Sequence, residues 1–189
     1  DMIWSCADMM CRGFLLGGTA GRTTLNGEGI QHEDGHSQVL ASTIPNLKSY
    51  DPAFSFELAV IVREGIKRMY KNQENIFYYL TVYNEKYLMP AIPNIEDIQQ
   101  GILNGAYLFK AAKQSNRPSI HLLASGSIMN QALEADKILD KLGYPVSIWS
   151  ITSYNELSRE ALSCERKNRL NPENEPLTPY VQKLFQNKT

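Results

Sequence analysis

Cysteine is scarce in this chain: Cys6, Cys11 and Cys164 are the only three among 189 residues. An odd number without C-x-x-C spacing favours neither a disulfide framework nor a zinc site. Reduced thiols and a cytoplasmic setting are the expectation. Long apolar runs are missing too. Aliphatic stretches such as residues 59–62 fall far short of the about 20 residues that cross a bilayer, and no basic-then-apolar leader opens the chain, so no membrane association is expected. Neither sign of charge dominates: 19 Lys+Arg stand against 20 Asp+Glu, which removes the basic footprint of a nucleic-acid binder. Repeats, low-complexity segments and long charge blocks are also absent.

What is present suits a folded α/β protein. A hydrophobic content of 43% argues against disorder, and a chain of this size buries roughly 70% of its extended-state surface. The apolar spacing of residues 2–16 predicts a helix ending at Gly17-Gly18, and the chain enters it at once from Asp1, as a piece of a longer polypeptide would. Residues 17–37 have neither helical nor strand periodicity and are rich in glycine, which points to a functional irregular loop. Asp51-Pro52 looks like a helix start, followed by apolar positions at three- and four-residue intervals through Tyr70. Residues 76–83 are aromatic and β-branched, as a buried strand is.

Periodicity breaks at Met89-Pro90 and Pro93, and the domain boundary is placed there, giving units 1–93 and 94–189. Beyond it, Asn94 and Asp97 predict a helix to about Leu103. Residues 107–112, 120–124 and 146–151 read as strands. A helix opened by Ser125-Gly126-Ser127 lies between the last two, and Ser153 with Glu156 forms a capping box for another helix through about Cys164. A short helix ends the chain near residues 181–185. This alternation is that of a βαβ unit and a parallel or mixed sheet.

The densest chemistry is LNGEGIQHEDGH at 25–36, which gathers Glu28, His32, Glu33, Asp34 and His36 among glycines that let the backbone approach a ligand. Imidazole beside carboxylates can move a proton or donate to a developing oxyanion. The His32/His36 spacing resembles a zinc-protease motif, but Asp34-Gly35 makes a poor helix, so no metal ligands are assigned. Gly17-Gly18 following a helix would be in the wrong order for a dinucleotide fingerprint. Ser125-Gly126-Ser127 reads best as a cap and tight turn, and the 84–90 segment after the buried strand is balanced between a structural and a ligand-facing role. Tyr78, Tyr79, Tyr83 and Tyr87 read as core or interface aromatics with tethered hydroxyls, and Cys164 as a structural thiol.

GGTAGRTTLNGEGIQHEDGHS at 17–37 resembles the homodimeric, bacterial-type pyruvate dehydrogenase component that uses thiamine diphosphate. The likeness runs on through Ile44-Pro-Asn46, Tyr50-Asp-Pro52, Asn84-Glu85, Met89-Pro90, Gly126-Ser127 and Cys164-Glu-Arg166. The resemblance implies a transketolase-like α/β fold, with 1–93 as the last part of a pyrimidine-binding domain and 94–189 as an incomplete transketolase C-terminal-like domain. It implies an oxidoreductase that decarboxylates pyruvate on thiamine diphosphate and passes an acetyl group to lipoyl arms of a dihydrolipoyl acetyltransferase core. Mg²⁺ and most cofactor ligands would lie in parts absent from this chain, so no cofactor-binding residue is assigned here. The catalytic expectation is His32, oriented by Glu28, with His36 in the substrate pocket. A family histidine two residues after His36 is replaced here by Gln38. The alternatives are a non-catalytic dimerisation and docking module, and a transketolase-type segment; for the latter, Arg22 is the only Lys or Arg between Gly17 and Ser37 to meet a sugar phosphate.

Overall fold

A computed structural model of the chain describes residues 2–18 and 35–186. Helix α1 (Met2–Asp8) is followed by strand β1 (Phe14–Gly17), helix α2 (Ser37–Ser42), strand β2 (Leu47–Tyr50), helix α3 (Ser55–Ile66) and strand β3 (Phe77–Thr81). β3 lies between β1 and β2, parallel to both, with Phe14 opposite Tyr78 and Leu47 opposite Phe77. A second set follows: α4 (Ile95–Asn104), β4 (Tyr107–Lys110), β5 (Ile120–Ala124), α5 (Met129–Lys141), β6 (Val146–Ser150), α6 (Tyr154–Leu170) and α7 (Tyr180–Phe185). Here β6 is central, parallel to β5 and antiparallel to β4, whose register slips between Leu108 and Lys110. The expected mixed α/β sheet is thus present.

Two expectations are corrected. The helix read through residues 2–16 stops at Asp8, and Phe14–Gly17 is a strand. Phe14, Leu15 and Leu16 continued the apolar spacing, but β1 gains a full ladder on β3, which outweighs local propensity. Gly17-Gly18 therefore follows a parallel strand, not a helix. The helix after Asp51-Pro52 begins later, at Ser55, because Glu57 turns back to accept the backbone N–H groups of Ala53 (2.6 Å) and Phe54 (3.0 Å), satisfying donors that a helix start leaves orphaned. α3 then runs into a π-helical turn, Lys67–Lys71, closed by Asn72 N–H on the Lys67 carbonyl (2.9 Å).

α4 ends where its sequence says. Gly105 takes φ +105°, and a side chain there would press within 2.4 Å of the Ser153 carbonyl, so only glycine fits both the left-handed cap and the close approach. One continuous apolar core runs through both sheets, with Leu47, Ile61, Met69, Leu80, Ile102 and Ile148 fully buried. A smaller cluster lies on the other face of β6, where Trp149 meets Phe185 of α7 at 4.8 Å between ring centres.

Candidate functional site

Parallel strands deliver their last residues to one edge of the first sheet, and open α/β sheets bind ligands outside that carboxyl edge. Gly17 ends β1 there, Tyr50 ends β2 and Thr81 ends β3. Gln38 of α2 bonds at the same edge, its Nε2 donating to the Tyr50 carbonyl (3.2 Å). His36, at the cap position of α2, is exposed two residues earlier. Beside the edge lies a cleft of about 200 Å³ whose walls include Pro52, Phe54, Leu58, Tyr83, Tyr87 and Met89. Among the described residues its wall is apolar and aromatic, with Glu85 the charged member and no Lys or Arg.

Asp51 organises the rim. Its buried carboxylate accepts from the Thr81 hydroxyl (2.5 Å) and from the Tyr83 hydroxyl, and its backbone joins the two sets of strands. The Asp51 N–H donates to the Thr152 carbonyl (2.7 Å), and the Asp51 carbonyl accepts from the Gly126 N–H (3.1 Å). Gly126 stands at φ +52°, and a Cβ there would fall 1.9 Å from the Tyr83 oxygen. The Ser125-Gly126-Ser127 turn is thus a wedge into the seam, and its glycine is compelled by space as well as by backbone.

Deeper in the seam, Glu57 receives four donors. Besides the two amides, its Oε1 accepts from Tyr107 (2.7 Å) and Ser150 (2.6 Å), both from the second sheet. Burial pushes the Glu57 carboxyl above its ordinary range, against the pull of these donors. The phenol of Tyr107 is also driven up, by burial first and the adjoining Glu57 charge second, so it remains a donor. Tyr78 and Tyr87 are pushed up to about 12, chiefly by burial. Arg159 of α6 reaches across to the carbonyls of Leu47 and Ile44 (2.7 Å to the latter), and Lys48 meets Glu156 at 2.5 Å. These contacts border a second cavity of about 330 Å³, walled by Tyr50, Glu64, Arg68, Tyr78, Gln100 and Glu160 among others.

His32 and Glu28 lie outside the described residues, as do Glu33, Asp34 and Arg22. His36 caps α2 two residues before Gln38 and is not among the residues that line the cleft. Two of the four tyrosines are tethered through their hydroxyls as expected, Tyr83 on Asp51 and Tyr87 on the Ala53 carbonyl, while the ring of Tyr78 stacks on Tyr50 at 6.2 Å. Cys164 donates to Glu160 (3.2 Å), in keeping with a structural thiol. Sequence reasoning missed Glu57 and Arg159. A carboxylate in the first turn of the helix that follows Asp51-Pro52 was the available signal for the first; no spacing marks the second.

The family models divide along the chain: residues 1–90 match the pyruvate dehydrogenase E1 component middle domain, and residues 105–189 the transketolase-like TK C-terminal domain. Over 98% of its length the chain is 50% identical to the pyruvate dehydrogenase E1 component of Pseudomonas aeruginosa and 48% identical to that of Escherichia coli (strain K12). Over nearly its whole length the chain is similar to pyruvate dehydrogenase E1 components, and its first part matches their middle domain. It spans about a fifth of the length of these curated relatives, 21% in both cases. A transketolase from Campylobacter jejuni shares the fold at TM-score 0.58 and 20% identity, covering 82% of this chain and 22% of that one. A Pichia stipitis transketolase does so at 0.59 and 18%, covering 80% and 20%. The chain thus has a transketolase-like α/β fold. Among the described residues no helix is long and apolar enough to cross a membrane, and no cluster of three or more His, Cys, Asp or Glu could hold a metal ion.

Proposed function

We propose that this chain is the part of a pyruvate dehydrogenase E1 component that carries the acid–base residues of the 25–36 segment. The parent enzyme decarboxylates pyruvate and hands the acetyl group to lipoyl arms of a dihydrolipoyl acetyltransferase core, as a cytoplasmic homodimer. The observation that carries this reading is identity near one-half across almost the whole chain to pyruvate dehydrogenase E1 components, against transketolase likenesses of 18–20% that speak for fold alone. The boundary between the pyrimidine-binding part and the C-terminal-like part is placed at 93/94, supported by two separate three-stranded sheets on either side.

The residues described do not suit the whole cofactor. Among the described residues the cleft wall carries no Lys or Arg to meet a diphosphate, and no cluster stands ready for Mg²⁺. Thiamine diphosphate, bound mainly elsewhere, supplies the electron sink for loss of CO₂. This chain's part is proton management: His32 donates to the substrate oxygen or carries its proton during acetyl transfer, Glu28 orients the ring, and His36 borders the pocket.

The test is His32→Ala in the full-length subunit, read as acetyl transfer to lipoyl domains. A loss of about 10²–10⁴-fold is expected of an acid–base group, and activity within about twofold of the parent removes the assignment. Calorimetry of the 189-residue chain with thiamine diphosphate and Mg²⁺ is expected to show no binding; saturable tight binding would place the principal ligands here instead.

A further inference from the structure

The end of α1 is built in a way that brings two thiols together. Met10 N–H donates to the Ala7 carbonyl (3.1 Å) and Cys11 N–H to the Cys6 carbonyl (2.9 Å), while Met10 takes φ +54°. This 6→1 and 5→2 pair around a left-handed residue is a Schellman cap, whose hallmark is a side-chain contact between the residues three before and two after the cap. Those two positions are Cys6 and Cys11. Given the 2.9 Å bond and fixed backbone lengths, their α-carbons cannot stand farther apart than about 6.8 Å, the upper limit for a disulfide. Both are half-buried free thiols. They also sense each other: burial and then the neighbouring Cys6 push the Cys11 thiol up.

From this we infer that Cys6 and Cys11 form a redox modification site, closing reversibly to an intramolecular disulfide by exchange with a small disulfide such as oxidised glutathione. In the first step one thiolate attacks a sulfur of the oxidant, a protein–glutathione S–S bond forms, the oxidant's S–S bond breaks, and one glutathione leaves as thiolate and takes up a proton. In the second the other cysteine, having lost its proton, attacks the protein-side sulfur and expels the second glutathione. Two protein thiols are oxidised and one disulfide is reduced to two thiols.

The bridge would staple α1 to the strand that reaches the carboxyl edge. Arg12 follows at once and donates to the Gln73 carbonyl (3.1 Å), and the Gly13 N–H meets Met69 Sδ (3.2 Å) before β1 begins. No Lys or Arg precedes Arg12 from Asp1 onward, so trypsin leaves both cysteines on one peptide.

The purified protein is incubated in a glutathione redox buffer, quenched by alkylation and mapped by mass spectrometry, natively and in guanidinium. The expected result is a peptide lighter by two hydrogens, in about tenfold excess over glutathionylated forms in the native protein, with Cys11→Ser instead accumulating glutathione on Cys6. In guanidinium that excess should fall about tenfold. Free thiols or single glutathionylation in the native protein would overturn the proposal, as would equal disulfide yield in both states, which would mean sequence proximity and not the cap makes the pair.

Discussion

Asp51 and Glu57 are buried carboxylates six residues apart, and they bind the same seam in opposite ways. Asp51 reaches the second unit through its backbone, to Thr152 and Gly126, while its side chain stays with Thr81 and Tyr83 of its own half. Glu57 keeps its backbone inside α3 and sends its side chain across, to Tyr107 and Ser150. The difference shows where each is vulnerable. Removing the Glu57 side chain strands four donors at once, whereas most of what Asp51 does for the joint survives loss of its carboxylate, because peptide groups carry it.

The largest effect should come from Glu57→Ala, which leaves buried amides and hydroxyls without an acceptor and is expected to destabilise by about 3–5 kcal/mol in urea unfolding. Glu57→Gln sharpens the point. It keeps an oxygen for the amides and lets the two hydroxyls accept, so its loss should be much smaller, and it removes a titration. With the folded-state Glu57 carboxyl above its ordinary value of 4.5, the parent is favoured below the unfolded value and loses that contribution as pH rises through the folded one. The glutamine variant should lack this decline in unfolding midpoints taken from acid to neutral pH.

Next comes Gly126→Ala, which adds left-handed strain and a clash with Tyr83, for about 2–3 kcal/mol. It strikes the Asp51 side of the joint through the backbone wedge. Asp51→Asn should be mildest, about 1 kcal/mol, since an amide oxygen still accepts from Thr81 and Tyr83 without the charge. If calorimetric melts placed Asp51→Asn below Glu57→Ala, the division of labour between backbone and side chain would be wrong.

Much of the framework could be read from residue order. α4 lies between Asn94 and Gly105, β3, β5 and β6 announce themselves by aromatic and β-branched runs, and Ser153 caps α6 by accepting the Glu156 N–H (3.0 Å) as its spacing foretells. α2 and β2 escaped notice because Lys48 and Ser49 dilute a four-residue strand whose partners lie thirty residues on. β1 hid inside a helical pattern for the same reason: its ladder is supplied by a distant segment. The 25–36 segment declared its chemistry by composition alone, whereas the seam did not. Ser150 and Glu57 are 93 residues apart, and the Arg159 contacts to α2 and β2 span over 110, so no local spacing could pair them.

That separation also sets an order of assembly. β5, α5 and β6 are contiguous and close short loops, so their contacts form at little entropic cost, whereas the joint must wait until both halves exist. It is a late-closing clasp, and on a fluctuating molecule the last clasp to fasten is the first to slip. Backbone amides that bridge it, Asp51 and Gly126, should exchange their hydrogens sooner than those of β6, leaving two half-folded lobes as the native state's nearest excited relative.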